Sequence, residues 1–429
     1  MRTARALSRT IIEMVVDGEL SPGTRMPVVR DIASSLAMST TNVANAWREL
    51  VDWRVLETKR RGGTVVLGPP RAPRARRAAE IMTAAASVRL NLAYTLCDPK
   101  LILPMPPALL AAVENPAIND YLPVPISPLL KEAIIPRWPF SPSFLLATHG
   151  GLCATDMALR TCVRPGDRVM VEVPCMSRVL DVLESIGAIT VPIEQGEDGP
   201  NLAQVEKALR SRPVAFLYQP AGSYPTGSSV TADWVERAAR LLKDKFLAII
   251  ELVMVPLLNR RPILSIGRYL PHSTVHIQSF IYVYGPNIRV GVAGGSDYYI
   301  DRMWQQFTFA SRWVSRILQD AVAFNLTDPT ALRQLDAFLA ECHRRQTAFT
   351  SALNDVGFSV REVDTPMLWL DVRNESAALE SMLKEGILVH RGSYYSPTPR
   401  SPDHIVVNGM LVGENQREIA GMLARAAKA

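Results

Sequence analysis

The stretch SFIYVYGPNIRVG, residues 279–291, gathers a serine, two tyrosines and an arginine around a glycine–proline turn. A hydroxyl, a guanidinium and nearby backbone amides are the groups that hold an anion. Two further segments offer backbone of that kind: THGG at 148–151 and the Pro225-Thr226-Gly227 turn. The hydroxyls of Tyr282 and Tyr284 are expected to converge with Arg289 as polar groups. The surrounding positions are apolar: Leu252, Val253 and Met254 of ELVMV, together with Met176, Leu152 and Ile281. No amine lies in the stretch. The body's lysines, at 100, 131, 207, 243, 245, 384 and 428, mostly sit in amphipathic helical segments beside acidic residues. None ends an apolar strand, where burial would lower its pKa for Schiff-base work.

Other chemistries find little support. Of the six histidines only His272 and His276 stand four apart, at the start of an apolar strand pattern rather than on a helix, and the five cysteines show no paired spacing, so no metal site is expected. An odd, scattered set of cysteines suits a reducing compartment, and no apolar run approaches the roughly 20 residues that span a bilayer. With no secretory signal pattern at the N-terminus, the expected location is the cytoplasm. Neither a dinucleotide-binding glycine fingerprint nor a nucleophile elbow appears.

Charge points to the other end of the chain. Residues 1–80 carry 14 Lys and Arg against 8 Asp and Glu, whereas the rest carries 33 of each. A basic terminal unit on a neutral body suggests a polyanionic partner, the alternative being a merely solvated basic face. ALSRTIIEMVVDGEL predicts a helix with Leu7, Ile11, Ile12, Val15 and Val16 on one face, stopped by Ser21-Pro22-Gly23. A short helix follows, with Ile32, Ala33 and Leu36 inward. Ser39 caps a third, in which Val43, Ala46, Trp47 and Leu50 share a face. VLETKRRGGTVVL then reads as two short strands around a tip at Arg61-Gly62-Gly63. This is the order of a winged helix-turn-helix. GPPRAPRARRAAE reads as a linker whose Arg71, Arg74, Arg76 and Arg77 either tether in solvent or touch DNA backbone.

From residue 88 onward, buried strands at 144–149, 168–174, 188–194, 215–220, 246–255 and 274–280 alternate with helical patterns. That alternation predicts an α/β layer with a mainly parallel sheet. The expected division is 1–67 for the winged helix, 68–87 for the linker, 88–329 for a large domain and 330–429 for a small α+β subdomain.

GELSPGTRMPVVRDIA and STTNVANAWREL resemble the GntR family of bacterial DNA-binding domains. The resemblance places DNA contacts on Arg30, Ser39, Thr40, Thr41, Asn42 and Arg48, with Arg60, Arg61 and Gly62 in the wing. Thr40 and Asn42 replace the family's arginine and threonine; both still reach base edges. The alternative is a winged helix used for protein contacts alone. VRPGDRVMVEVPCMSRVLDVLESIGAITVPI, QPAGSYPTG, NRRPILSI and the stretch quoted first resemble a fold-type I aminotransferase domain. The whole chain thus resembles the MocR-type members of the GntR family, which usually bind pyridoxal phosphate.

That resemblance carries a departure. The family's aldimine lysine falls on Tyr282, the acid that pairs with the pyridine nitrogen on Leu252, and two tyrosines on Met254 and Met176. Ser279 and Arg289 fall where relatives hold the cofactor phosphate, with Gly150 and Gly151 in the glycine loop and Tyr224 beside the Pro-Thr-Gly turn. A Schiff base at Tyr282 is not possible, and no cofactor is expected. The expectation is a non-enzymatic transcription regulator that binds operator DNA, forms a head-to-tail homodimer, and offers the former cofactor site as a candidate effector pocket. Three alternatives stand beside it: a filled core with no ligand, pyridoxal phosphate held non-covalently by Ser279 and Arg289, and a purely structural dimer that spaces two DNA-reading heads.

Overall fold

In the computed structural model, which describes residues 3–59, 63–68, 75, 77, 88–309, 311–398 and 403–429, the chain divides into two units, Met1–Arg74 and Ala75–Ala429.

Three helices of the first unit, α1 (Ala4–Val16), α2 (Val29–Ser35) and α3 (Thr40–Asp52), precede a hairpin of β1 (Leu56–Lys59) and β2 (Gly63–Val66). Ser39 is extended at the start of α3 and its hydroxyl accepts from the Asn42 amide, as a helix N-cap requires. Val43, Ala46, Trp47 and Leu50 are all buried and form the core with Ile11 and Val15. Ser8 ties α1 to α3 by donating to Glu49 at 2.7 Å. The expected faces need two corrections. Val16 is 62% exposed and Leu36 45% exposed, because α1 frays into a turn after Val16 and α2 ends at Ser35.

The second unit is built on a seven-stranded sheet. In chain order its strands are β4 (Phe144–Thr148), β5 (Arg168–Val173), β6 (Ile189–Glu194), β7 (Ala215–Tyr218), β8 (Ala248–Val253), β9 (Thr274–Ser279) and β10 (Gly291–Gly295). Across the sheet they run β4-β10-β9-β8-β7-β5-β6, with β10 antiparallel to both neighbours and the neighbouring pairs from β9 to β6 parallel. The six strands expected from sequence are all present. The seventh, GVAGG, escaped notice because glycines replace the usual branched residues. They are required there: a Cβ at Gly291 would lie 2.7 Å from the Gly150 carbonyl carbon, and one at Gly294 2.4 Å from Leu145. Helices α4 (Gly151–Cys162), α5 (Ser177–Ile186) and α6 (Ala232–Leu242) cover the sheet.

The smaller sheet joins β11 (Met367–Val372), β14 (Asp403–Asn408) and β13 (His390–Arg391), while β12 (Ile387–Leu388) pairs with β3 (Leu90–Asn91). Both expected boundaries shift as a result. Leu92, inside the span expected for the large domain, packs into the small core. Helix α7 (Pro329–Asp355) starts in the large core through Leu335, Phe338 and Cys342 and ends in the small one through Phe349 and Leu353. Among the described residues no helix is long and apolar enough to cross a membrane.

One linker arginine is corrected outright. Arg77 is buried and donates to Asp181 at 2.7 Å and Glu184 at 2.8 Å, both on α5, so it is neither tether nor DNA contact. Arg71, Arg74 and Arg76 lie outside the described residues.

Candidate functional site

In the first unit, α3 turns its apolar stripe inward, which leaves Thr40 and Thr41 exposed on its first turn and Arg48 one face further along. Arg48 donates to Asn45 at 2.6 Å, and Asn42 is half-buried. Arg30 is exposed on the first turn of α2. These groups therefore present hydroxyls, an amide and guanidiniums outward while the core holds the helix rigid. Arg60, Arg61 and Gly62 lie outside the described residues. Arg25 is an addition that the sequence did not single out: its guanidinium lies against the wing, 3.1 Å from where a Cβ on Gly63 would stand. Gly63 has φ +73°, a left-handed conformation that favours glycine, which explains its place at the turn.

In the second unit, the strand ends of β8 and β9 and the start of α4 meet at a cleft of about 150 Å³. Ser279, Tyr282, Arg289, Met254, Met176 and Tyr224 line it, joined by Thr95, Leu96, Leu152, Arg178, Val255, Ile281 and Pro286. Leu252 does not. It is fully buried one residue before the strand end, inside the large core. Gly150 and Gly151 lie beneath the lining. A Cβ on Gly150 would meet Ile281 at 2.4 Å, and one on Gly151 would meet Ser279 at 2.9 Å and the Met254 sulfur at 3.2 Å. Side chains thus close over the glycine loop.

Tyr282 closes the inner wall. It is 3% exposed, its ring packs edge-on against Phe338, and its hydroxyl donates to the Met410 thioether at 3.3 Å. Burial pushes its pKa well up. Tyr284 turns away, its hydroxyl buried without a partner. The expected convergence of both tyrosine hydroxyls with Arg289 therefore fails, because both are consumed by packing.

The nearest acid also points elsewhere. Successive strand residues face opposite sides of a sheet, so Glu251 lies on the face opposite Leu252. There it accepts from Tyr218 and Ser265 at 2.5 Å each and from the Ile266 amide at 2.8 Å, and it contacts His276 Nδ1 at 2.7 Å. Glu172, also buried, accepts from Gln195 and from the Gln219 amide, and burial raises its pKa to about 7. Neither carboxyl lines the cleft.

What remains polar in the cleft is cationic or donating. Ser279 is 1% exposed and its Oγ has no hydrogen-bond partner. Helix α4 begins beside it at Gly150 with no side-chain cap. Arg178 and Arg289 share the lining, and burial followed by the Arg289 charge holds Arg178 below its ordinary pKa. His149 is likewise lowered by burial and then by Arg289. No lysine lines the cleft among the described residues. Pyridoxal phosphate thus meets a mixed fit: donors for a phosphate, but no amine for its aldehyde and no acid for its ring nitrogen. A larger groove of about 260 Å³ runs beside β11 between Phe358, Trp369 and Ala427, but none of its lining residues carries a buried unpartnered polar atom. Among the described residues no cluster of His, Cys, Asp or Glu could hold a metal.

A winged helix joined to this strand-and-helix body is the architecture of a MocR-type regulator, and comparison with known families agrees. Residues 3–66 match the bacterial regulatory proteins of the gntR family, and residues 97–401 match aminotransferase class I and II. The chain belongs to the aminotransferase class I and II family and carries a GntR helix-turn-helix domain at its N-terminus. Among individual relatives, it is 27% identical over 415 residues to the vitamin B6 salvage pathway transcriptional repressor PtsJ of Salmonella typhimurium, covering 94% of this chain and 93% of that one. It is 23% identical to the uncharacterized HTH-type transcriptional regulator YdeF of Bacillus subtilis, over 85% and 80% of the two chains. Solved structures share the fold alone. The kynurenine aminotransferase of Pyrococcus horikoshii superposes with a TM-score of 0.72 at 17% identity, over 82% of this chain and 95% of that one. The aspartate aminotransferase of Thermus thermophilus gives 0.70 at 20% identity, over 83% and 97%.

Proposed function

We propose that this protein is a cytoplasmic DNA-binding transcription regulator whose aminotransferase-like body performs no transamination and serves for homodimerisation and the sensing of an effector. The observation that carries this reading is Tyr282. At the position where the resemblance expects an aldimine lysine stands a phenol, packed between Phe338 and Met410. Leu252, at the position of the ring-nitrogen acid, is sealed in the core. Electron-sink chemistry needs both an imine and a protonated ring nitrogen. The chain's own residues offer neither, so the body retains a fold and not the reaction.

The outward groups of α2 and α3 then supply the DNA contacts: Arg30 to phosphate, Thr40, Thr41 and Asn42 to base edges. The 27% identity to PtsJ over nearly both full lengths supports the regulator architecture. A head-to-tail homodimer would pair two heads on a two-fold operator. The test is fluorescence anisotropy with a duplex enriched by the protein from a random library. Specific binding whose affinity falls steeply with salt is expected. Binding equal on all duplexes, or none, would overturn the reading.

A second reading has its own support. The unpartnered Ser279 hydroxyl beside Arg289 would receive the phosphate of a pyridoxal phosphate held without a covalent bond.

A further inference from the structure

Strands β5 to β9 run parallel, so their starts share one edge of the large sheet and their ends share the other. The cleft lies at the ends of β8 and β9, beside Met254 and Ser279. The opposite edge is built from the segments that lead into β5, β7, β8 and β9, residues 164–168, 210–214, 243–247 and 268–273. Backbone bonds hold them in one row: the Val214 amide donates to the Arg168 carbonyl, the Ala248 amide to the Val214 carbonyl, and the Ile249 amide to the Ser273 carbonyl. These segments carry Arg164, Arg168, Arg210, Arg212, Lys243, Lys245 and Arg268 against two acids, Asp167 and Asp244. One more acid, Asp297, stands where β10 leaves the same edge.

Arg164 is committed, since its guanidinium donates to the Arg160 and Val163 carbonyls. The other six cations are exposed, and none has an ion pair or a side-chain hydrogen bond among the described residues. Exposed arginines elsewhere on this unit are paired one turn away, as Arg160 is with Asp156, Arg237 with Asp233 and Arg240 with Glu236. The chain beyond residue 80 carries equal numbers of basic and acidic residues, so the excess here is a local concentration. Phe246 stands fully exposed beside Lys245, and Tyr269 is half-exposed beside Arg268.

We propose that this edge is a second DNA surface, a row of cations that holds the phosphate backbone of the duplex flanking the operator once the winged helix is bound. That the polyanion is DNA rests on the regulator reading above; the surface rests on the charge of the edge and its place in the sheet.

Neighbouring strands stand about 4.8 Å apart, so the four segments span about 15 Å. Phosphates of one DNA strand follow one another at about 3.4 Å of helix axis, and a row of that length runs past about four of them. Cations strung in a line match a linear polyanion, whereas an anionic membrane rewards cations spread in two dimensions. Phe246 adds a ring where a bound backbone brings its sugars. Both units belong to one chain, so once an operator holds the winged helix, even a weak backbone contact by the body becomes intramolecular. Phosphate contacts carry no sequence information, so the edge adds affinity and length dependence and leaves base preference to α3.

Fluorescence anisotropy of the full-length protein tests this with two duplexes: the operator trimmed to the sequence the protein selects, and the same operator with two extra helical turns on each side. Wild type should bind the longer duplex fivefold or more tightly, with a steeper loss of affinity as salt rises. A variant combining Arg212→Gln, Lys243→Gln, Lys245→Gln and Arg268→Gln should lose that gain and lower the salt slope on the longer duplex by roughly two or more. Its affinity for the trimmed duplex should stay that of wild type, which also verifies that the variant is folded. No gain with length, or a gain that the variant keeps, overturns the proposal. Flotation of wild type but not the variant with phosphatidylserine vesicles, without a gain on longer DNA, would assign the edge to a membrane and overturn it too. If no duplex is bound sequence-specifically, the regulator reading falls on its own account. The edge is then read on random-sequence duplex, where a lower salt slope in the variant upholds it and an equal slope overturns it.

Discussion

Helix α3 and the cleft at the end of β9 are opposite solutions to placing polar groups. On α3 the inward stripe of Val43, Ala46, Trp47 and Leu50 is apolar while Thr40, Thr41 and Arg48 are exposed, so fold and candidate contacts fall largely on different faces of one element. In the cleft most inward positions are apolar, and the polar groups that remain include the buried Ser279 hydroxyl and, at the rim, Arg178 and Arg289. Side chains on the solvent face of a helix can change contact chemistry at little cost in stability. A buried catalytic carboxylate without its cofactor partner is a standing liability of several kcal/mol, which an apolar residue removes. The proposed reading puts DNA recognition on surface groups of an intact scaffold, and has the positions that serve catalysis in aminotransferases absorbed into the body's core.

Reversing that absorption should have the largest effect. Leu252→Asp places an unpaired carboxylate in the large core and is expected to destabilise the body by about 3–5 kcal/mol, measured by urea unfolding. A cost below 1 kcal/mol would mean that a hidden partner still awaits an acid there. Glu172 marks an acid the body does keep. Its folded pKa of about 7 lies above that of an unfolded glutamate, so the folded chain binds the extra proton between roughly pH 4.5 and 7. Stability tied to this group is therefore present at low pH and lost as pH rises through that window, by about 3 kcal/mol at most. Glu172→Gln should flatten this part of the stability–pH curve; an unchanged slope would assign it to other groups.

On the DNA side, Arg30→Ala should weaken duplex binding by about 1–2 kcal/mol and reduce the salt slope by about one, with thermal stability unchanged. The paired substitution Thr40→Ala with Thr41→Ala should instead erode discrimination between duplexes more than overall affinity. If it lowered binding uniformly, those hydroxyls would be phosphate contacts. The smallest effect is expected at Tyr282→Phe, which removes one hydroxyl-to-thioether contact and should cost less than about 1 kcal/mol. A large loss would give the phenol a role in the cleft that packing does not supply.

Much of this was legible in the sequence. Periodicity and capping placed α3 and its buried face, and apolar runs placed six strands of the large sheet, because both signals are local. The seventh strand was hidden in GVAGG, whose glycines answer to close backbone neighbours rather than to strand propensity. At the cleft, the resemblance named Ser279, Tyr282, Arg289, Met254, Met176 and Tyr224, all of which line it. It misplaced Leu252, which shares the strand face of Met254 but lies deeper, sealed in the large core. Arg178 and Arg77 were not readable: one is an arginine two residues past a methionine, the other sits in a basic run, and only the turn of α5 brings them to one helix face.

The central claim is tested most directly by titrating the purified protein with pyridoxal phosphate, following absorbance, and then reducing with borohydride before intact-mass measurement. The account predicts an unchanged mass, whether or not the phosphate end binds without a covalent link. A mass increase of one phosphopyridoxyl group would place an imine on a lysine of this chain and contradict it.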